Sequence, residues 1–312
     1  KDALGSRVAI LGHHYQQDAV IDFADFTGDS FELSRRAADQ KGVEYVVFCG
    51  VHFMAESADI LTAPGVQVIL PDLGAGCSMA DMANLEQTED CWAQLAEVCL
   101  GQTVVPITYM NSSAAIKAFV GEHGGAVCTS SNCRNVLEWA LGGRVPGSGA
   151  RGPEENAENP TRNAEPGTRN PKILFFPDQH LGRNTAFAMG YPLDRMVVWD
   201  PTKDLGGNTE QQLRDAIFVL WKGHCSVHQL FRPEHVDQVR EKYPNIKVMV
   251  HPECRWEVVQ KADIAGSTAY IVNQLKNAPP GTQWAIGTET HLVNRLAREH
   301  PEQTILVLSD CQ

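Results

Sequence analysis

The sequence has no apolar run that approaches the roughly 18 to 20 residues needed to cross a bilayer. Of its 312 residues, 43% are hydrophobic and 21% are charged, which is ordinary for a globular protein. These proportions exclude a membrane-spanning protein and a disordered one. The length is about twice that of a typical domain, so it predicts two or three domains or one large α/β unit.

Basic charge is also scarce in this chain. The sequence has 26 Lys and Arg against 38 Asp and Glu, which gives a formal net charge of -12. A chain this acidic repels phosphate backbones unless it holds a local basic stripe, and no such stripe is present. We therefore exclude nucleic acids and membranes as partners.

The cysteines include no CxxC pair, and their number is odd. The nine residues are spread over the whole chain, at positions 49, 77, 91, 99, 128, 133, 225, 254 and 311. This distribution argues against a secreted disulfide framework and favours reduced thiols. We expect a cytoplasmic protein.

Some expected segments are missing as well. The sequence begins at Lys1 with neither Met nor an apolar signal segment, and it stops at Gln312 directly after an apolar run, so we expect a chain trimmed at both ends.

The segment 144–171 holds five prolines, four glycines and no large apolar residue except Val145. We expect it to be a disordered surface loop between a helix ending near Leu141 and a strand starting at Ile173.

Short continuous apolar runs alternate with segments of helical periodicity. Continuous runs indicate strands that are buried on both faces, as in parallel sheets covered by helices. Helical stripes are formed by Leu213, Ile217 and Leu220, and by Ala115, Ile116, Phe119 and Val120. The fold class is therefore α/β. The predicted strands are 8–11, 45–48, 66–70, 103–107, 126–127, 173–176, 196–199, 246–250, 263–265, 284–286 and 304–308.

Grouping the strands reveals a coarse threefold repeat. In each group an opening strand ends in polar residues, a second strand does the same, and a cysteine follows the last strand. The opening strands end at His13-His14-Tyr15, Tyr109-Met110-Asn111 and His251-Pro252-Glu253; the second strands end at Cys49-Gly50, Cys128-Thr129-Ser130 and Gly266-Ser267-Thr268; the cysteines are Cys77, Cys225 and Cys311.

Ligands of parallel sheets bind beyond the carboxyl ends of the strands. The repeat therefore predicts three similar three-layer α/β units in a pseudo-threefold arrangement around one central site. We place the units at 1–92, at 93–232 with the loop 144–171, and at 233–312.

Two cysteines have neighbours that suit a reactive or metal-bound thiol. Cys225 precedes His228 by three residues and lies two residues after Gly223, which fits a metal ligand or an activated thiol as well as a buried cysteine beside an unrelated histidine. Cys77 lies in a glycine-flanked loop that leads into a helix, where a thiolate is favoured, although a buried structural cysteine is the commoner outcome. Cys91 and Cys99 lie on the core face of a predicted helix.

Other polar groups at strand ends suit acid–base chemistry or anion binding. His251 and Glu253 place a base and a carboxylate just after a buried strand, where general acid–base groups are common, although Glu253 could equally cap the next helix. The pairs starting at Ser112, Ser130 and Ser267 open helices, where they either bind anions or cap the helix. The adjacent side chains of His13 and His14 diverge, so at most one of them faces a site.

Nine motifs together resemble the quinolinate synthase family, in the same order and over nearly the whole chain. They lie at 11–15 (LGHHY), 28–30 (GDS), 53–56 (FMAE), 109–113 (YMNSS), 128–130 (CTS), 177–182 (PDQHLG), 223–228 (GHCSVH), 251–253 (HPE) and 265–268 (AGST). The resemblance implies a pseudo-threefold α/β enzyme with one 4Fe-4S cluster, held at the junction by one cysteine from each unit. It also implies a transferase-type condensation of iminoaspartate with dihydroxyacetone phosphate to quinolinate, phosphate and two waters, functionally linked to an aspartate-oxidising enzyme in NAD biosynthesis.

The resemblance also assigns site residues by their match to the family motifs. It implies that Tyr15, Tyr109 and Glu253 are catalytic. Substrate binding falls to His13, Ser30, Asn111, Ser130, His228, His251, Ser267 and Thr268, and metal binding to Cys77, Cys225 and Cys311. The third cysteine is either Cys311 or a residue beyond Gln312, and we favour the second. Cys128 and Cys254 do not match ligand positions.

Two other classes of function remain as alternatives to the enzyme. One is a non-catalytic iron–sulfur sensor or electron carrier on the same scaffold, in which the histidines and hydroxyls at the strand ends would have no task. The other is an anion-binding α/β module without metal. Iron content and turnover of both substrates distinguish the three.

Overall fold

A computed structural model describes residues 1–142 and 171–309 of the chain. Within these ranges the α/β class is confirmed, because every strand belongs to one of three wholly parallel sheets that are flanked by helices. The expected disordered loop, apart from Pro171, and Cys311 lie outside the described residues. No helix in the described ranges is long and apolar enough to cross a membrane.

The first sheet has the strand order β2-β1-β3-β4. Its strands are β1 (Val8–His13), β2 (Phe26–Gly28), β3 (Tyr45–Cys49) and β4 (Gln67–Ile69), and its helices are α1 (Asp18–Ile21), α2 (Ser30–Asp39) and α3 (His52–Leu61). Val8 pairs with Tyr45 and Leu11 with Phe26, so the opening strand lies in the interior of the sheet.

The second sheet has the order β6-β5-β7-β9-β8. Two of its interior strands, β7 and β9, consist entirely of buried residues, as continuous apolar runs predict. The elements of this unit are α4 (Leu85–Val98), β5 (Val104–Tyr109), α5 (Ala114–Glu122), β6 (Ala126–Cys128), α6 (Cys133–Ala140), β7 (Lys172–Phe176), α7 (Gln179–Ala188), β8 (Met196–Trp199), α8 (Glu210–Asp215) and β9 (Phe218–Trp221).

The third sheet has the order β11-β10-β12-β13. Its elements are α9 (Pro233–Lys242), β10 (Lys247–Val250), α10 (Trp256–Lys261), β11 (Ile264–Ala265), α11 (Thr268–Lys276), β12 (Gln283–Gly287), α12 (Thr290–Glu299) and β13 (Thr304–Val307). Five 3-10 helices complete the described chain, at Gly5–Arg7, Ala80–Met82, Leu193–Arg195, Asp204–Gly207 and His228–Leu230.

The three sheets share one topology. In each of them the second strand lies at an edge beside the first, and the third strand lies on the other side of the first. The next position is occupied by the fourth strand in the first and third sheets, and in the second sheet by the fifth strand, β9, with the fourth strand, β8, beyond it. This common order confirms three similar α/β units. It also brings β1, β5 and β10 to equivalent positions, so the residues that follow these strands are structurally comparable.

The structure corrects two strand predictions. The segment Phe218–Trp221 is the interior strand β9, not part of a helix with Leu213, because α8 ends at Asp215. The sequence analysis also missed the short edge strand β2, so the second strand of the first unit ends at Gly28 and not at Cys49. The counterpart of Cys128-Thr129-Ser130 is therefore Gly28-Asp29-Ser30.

The helix predictions agree more closely with the structure. Ile116, Phe119 and Val120 form the buried face of α5, whereas Ala115 is exposed. The helix expected to end near Leu141 ends at Ala140.

The boundaries drawn at 92 and 232 stay predictions. Helix α4 spans the first of them, and its buried Cys91 and Leu95 belong to the same hydrophobic cluster as Leu174 and Trp221 of the second sheet. We therefore propose that the second unit begins at Leu85. The burial of Cys91 and Cys99 confirms that these two cysteines are core residues.

Candidate active site

A cavity of about 410 Å³ lies where the carboxyl ends of the three sheets meet. Its lining comes from all three units, as the threefold repeat predicts. Of the predicted site residues, those that line it are His13, Tyr15, Ser30, Cys77, Tyr109, Asn111, Ser130, Cys225, Glu253 and Thr268. A volume of this size fits a small-molecule site.

Three further predicted residues are buried beside this lining. His228 and His251 are 1% and 2% exposed and contact Glu253, and Ser267 precedes the lining residue Thr268. Cys311 lies outside the described residues. The structure thus brings together every predicted site residue that it describes.

Two buried histidines contact the carboxylate of Glu253 in the cavity. Its Oε2 lies 2.8 Å from Nδ1 of His228 and 3.8 Å from Nδ1 of His251, and the two imidazole rings stack with their centroids 4.5 Å apart. Burial raises the pKa of Glu253, but the attraction of His251, once acid protonates that ring, and hydrogen bonds from His228 and Tyr109 outweigh burial and lower that pKa to about 2. Glu253 is therefore a carboxylate at neutral pH. It does not cap α10, which begins three residues later.

His13 and His251 occupy the same place in two similar turns. Nδ1 of His13 accepts the backbone N–H of Tyr15 at 3.3 Å, and Nδ1 of His251 accepts that of Glu253 at the same distance. Burial lowers the pKa of each histidine to about 3, so both rings are neutral and carry their hydrogen on Nε2. In the cavity lining, His13 can therefore donate to an anionic ligand, whereas His14 lies outside that lining.

The two tyrosines of the cavity are held as neutral phenols. Burial, followed by the nearby carboxylate of Glu253, raises the pKa of both Tyr15 and Tyr109 above the ordinary value. The hydroxyl of Tyr15 lies 2.9 Å from Oγ1 of Thr268 and 3.2 Å from Oγ1 of Thr288. Both tyrosines are therefore potential proton donors near a potential proton acceptor.

Thr288 is a site residue that the sequence analysis missed. Its buried hydroxyl also lies 3.1 Å from Nε2 of His228, so an unbroken chain of polar contacts runs from Glu253 through His228 and Thr288 to Tyr15. The pattern that identified Ser130, a hydroxyl residue directly after a buried strand, also applies to Thr288, which follows β12. The lining also includes Asp29, Phe31, Met54, Ser78, Thr129 and Ser226, which the sequence analysis did not assign.

The hydroxyl groups predicted to bind anions have two different roles in the structure: some cap helices and others line the cavity. Ser113 and Ser267 accept the N–H groups of Ile116 and Tyr270, so they cap α5 and α11. Ser130 does not open a helix, because α6 begins at Cys133, but Ser130 and Thr268 line the cavity. The capping alternative is thus right for the first two residues, while the other two face the ligand space.

Cys77 and Cys225 are bound in the same way by their local backbone. Each precedes a 3-10 helix by three residues, and each sulfur accepts the N–H groups of the second and third residues that follow it. The hydroxyls of Ser78 and Ser226, the next residues, lie 3.4 Å apart, which brings the two cysteines close together across the unit boundary.

The surroundings of these thiols suit a metal group. Burial raises the pKa of both cysteines, so without a cation they are neutral thiols, and a metal is what would hold them as thiolates. Sulfurs that accept backbone N–H groups are typical of iron–sulfur ligands. The ligand atoms of Cys225, His228 and Glu253 also lie within 4.8 Å of one another, but His228 and Glu253 already bind each other.

The known proteins that this chain resembles belong to one family. The chain matches the family described as NadA, quinolinate synthetase A protein, over residues 2–145 and 156–312. The quinolinate synthase of Acidobacterium capsulatum is 58% identical over 296 residues, which cover 95% of this chain and 72% of the relative. The quinolinate synthases of a Nocardioides species and of Geobacillus kaustophilus are 55% and 53% identical, over 99% of this chain and 73% and 77% of the relatives.

Proposed function

Because the chain belongs to the quinolinate synthase family, an enzyme family of NAD biosynthesis, we propose that it condenses iminoaspartate with dihydroxyacetone phosphate. The products are quinolinate, inorganic phosphate and two waters. The observation that carries the proposal is the ionised Glu253, which shares one cavity with the neutral phenols of Tyr15 and Tyr109. Such a set can remove and supply protons within one ligand.

The proposed chemistry needs both kinds of group. Joining the substrates into a ring forms one carbon–carbon and one carbon–nitrogen bond, so carbon must lose protons while departing oxygens gain them. Glu253 is the base, because its carboxylate stays ionised beside His228 and His251. Tyr15 and Tyr109 are the acids, because their phenols are protonated at neutral pH and can give a proton to a leaving oxygen as negative charge develops on it.

Neutral donors rather than cations hold the anionic substrates in this proposal. The Nε2 hydrogen of His13, the amide of Asn111 and the hydroxyls of Ser30, Ser130 and Thr268 line the same cavity. Neutral donors of this kind can bind carboxylate and phosphate oxygens in an acidic protein, since they act through local dipoles rather than net charge. His228, His251 and Ser267 support this lining from behind.

Cys77 and Cys225 fit a 4Fe-4S cluster, and we propose that they hold one. The third thiolate stays a prediction, either Cys311 or a cysteine further along a longer chain. When bound, a cluster with one iron free of protein ligands supplies Lewis-acid chemistry that suits dehydration and ring closure. We place the protein in the cytoplasm, supplied with iminoaspartate by an aspartate-oxidising enzyme.

The proposal is tested on the full-length protein purified without oxygen. We expect about four irons and four sulfides per chain and formation of quinolinate from iminoaspartate and dihydroxyacetone phosphate. Substitution Glu253→Gln keeps the shape of the side chain and removes its charge, and should abolish product formation with the iron retained. The exposed Glu257→Gln is the matched control. A colourless, active wild type overturns the cluster, and an iron-loaded wild type that makes no quinolinate overturns the activity.

A further inference from the structure

Tyr15 and Glu253 lie in two equivalent turns and are themselves part of no helix or strand. The turn 13–17 begins at the last residue of β1, and the turn 251–255 begins directly after β10. Both begin with a histidine whose Nδ1 accepts the N–H of the second residue after it. Tyr109, in contrast, is the last residue of β5 and pairs with Cys128 in the sheet. The sheet therefore fixes Tyr109, whereas the other two residues need another restraint.

Asn184 on α7 restrains the Glu253 turn. Its Nδ2 donates to the carbonyl oxygen of Pro252 at 2.7 Å and to that of Cys254 at 2.8 Å, the residues on either side of Glu253. Asn184 is 5% exposed, and the orientation of its amide follows from its partners, since both are acceptors. Asp178 caps the first turn of α7 and so anchors the helix that presents this amide.

Arg295 on α12 restrains the Tyr15 turn in the same manner. Its guanidinium donates to the carbonyl oxygens of His14 and Gln16, the residues on either side of Tyr15. The same group pairs with Asp18 at 3.1 Å, and its side chain is only 13% exposed. The planar guanidinium carries several donors in a fixed arrangement, so it suits two carbonyl groups at a fixed separation better than a single ammonium group does.

The two restraints cross the boundaries between units. Asn184 of the second unit holds the turn of the third, and Arg295 of the third unit holds the turn of the first. Each of them leaves the side chain between the two carbonyls free to face the cavity. We propose that Asn184 and Arg295 are positioning residues. Asn184 holds the proton acceptor Glu253 in place, and Arg295 holds the proton donor Tyr15 in place, because each fixes the backbone on both sides of that residue. This inference rests on the proposed function of those two residues.

A positioning role predicts a loss of rate more than a loss of substrate binding. A misplacement of about 1 Å in a catalytic group can cost about 100-fold in rate. We therefore expect Asn184→Ala and Arg295→Ala to lower kcat about 10- to 100-fold while KM changes less than about threefold. Asn184→Asp and Arg295→Lys test the same contacts with less change in volume, and both should stay well below the wild type.

Each substitution has a matched control. Asn208 also donates from its Nδ2 to backbone carbonyls, those of Val198, Leu205 and Gly206, but away from the cavity. Arg298 is on the same helix as Arg295 and pairs with the same Asp18, but it does not bind the Tyr15 turn. Asn208→Ala and Arg298→Ala should keep kcat within about twofold of the wild type.

Amide hydrogen exchange supplies a readout that does not depend on turnover. Exchange in the peptides covering 251–255 and 13–17 should speed up in the Asn184 and Arg295 variants respectively, and not in the controls. Wild-type kcat in both alanine variants, or a lost kcat without faster exchange at the matching turn, overturns the inference. If the wild type itself makes no quinolinate, the proposed function fails, while the exchange data still show whether the two residues hold the turns.

Discussion

Oγ1 of Thr288, in the third unit, lies 3.1 Å from Nε2 of His228, in the second. The other nitrogen of that imidazole faces Glu253, and the same threonine hydroxyl contacts Tyr15. Histidine and hydroxyl groups can each pass a proton on, because both donate and accept. The proposed base, Glu253, and the proposed acid, Tyr15, are therefore connected through groups of the protein itself.

Breaking this connection should slow turnover without removing any group that faces the substrate. Thr288→Val keeps the shape of the side chain and loses its hydroxyl, so we expect kcat to fall about 10- to 100-fold, within the range of acid–base contributions. The matched control is Thr88→Val in α4, which is equally buried and loses the hydrogen bond to the carbonyl oxygen of Asn84. Steady-state kinetics at saturating substrates measure the difference, and equal rates in both variants would contradict the connection.

Cys77 should be required for iron, although it lies in a different unit from Cys225. In Cys77→Ser a weakly binding hydroxyl replaces a thiolate ligand, so iron and sulfide should fall from about four to below one per chain. Cys91→Ala changes a buried cysteine of α4 and should leave the iron content unchanged. Chemical iron and sulfide assays with the visible spectrum decide this, and full iron content in Cys77→Ser would exclude it as a ligand.

Acid should begin to destabilise the protein at pH values well above the pKa of its carboxylates. Burial lowers the pKa of His13, His180 and His251 to about 3, whereas in the unfolded chain it is about 6.5. Between these values the unfolded chain binds protons that the folded chain does not, so stability falls as pH falls. Each histidine should cost up to about 2 kcal/mol between pH 7 and pH 5. The lowered pKa of Glu253 acts in the same direction below about pH 4.5.

Thermal melting at several pH values checks this dependence. Replacing the buried histidine in His180→Asn should flatten the decline of melting temperature between pH 7 and pH 5. His52→Asn changes an exposed histidine of α3 and should leave the slope as it is. Identical slopes in the wild type and His180→Asn would show that this histidine does not contribute.

Gly223 should not tolerate a side chain, because a Cβ there would lie 1.8 Å from the carbonyl oxygen of Pro177. In Gly223→Ala the backbone two residues before Cys225 must move, which should cost about 1 to 3 kcal/mol and lower the iron content. Gly121→Ala in α5 places its methyl group in open space and should be neutral or stabilising by up to about 1 kcal/mol. Denaturant unfolding and iron assays measure both effects, and full iron content with unchanged stability in Gly223→Ala would contradict the close contact.

The main features of the fold were predictable because they depend on local patterns. Continuous apolar runs identified the buried strands, and the recurrence of polar residues after them indicated one shared site. The two errors arose where local information is ambiguous. Phe218–Trp221 is a four-residue apolar run with leucine and isoleucine before it at helical spacing, and Phe26–Gly28 is only three residues long.

The site was predictable to the extent that its residues follow strands. His13, Ser130 and Glu253 were found in this way, and all three lie at the junction. What the sequence could not provide is which side chains meet across units. Arg295 binds a carbonyl 281 residues away, and no local pattern distinguishes it from Arg298 one helical turn later.

The equivalent turns after β1 and β10 give the enzyme its asymmetry. Both turns begin with a histidine that accepts the same backbone hydrogen bond, but their third residue is Tyr15 in one turn and Glu253 in the other. A strictly repeated sequence would place two identical groups around the ligand, and these could differ only in their state of protonation. Because the third residues of the two turns differ in kind, the pseudo-symmetric cavity has a potential proton donor on one side and a potential proton acceptor on the other.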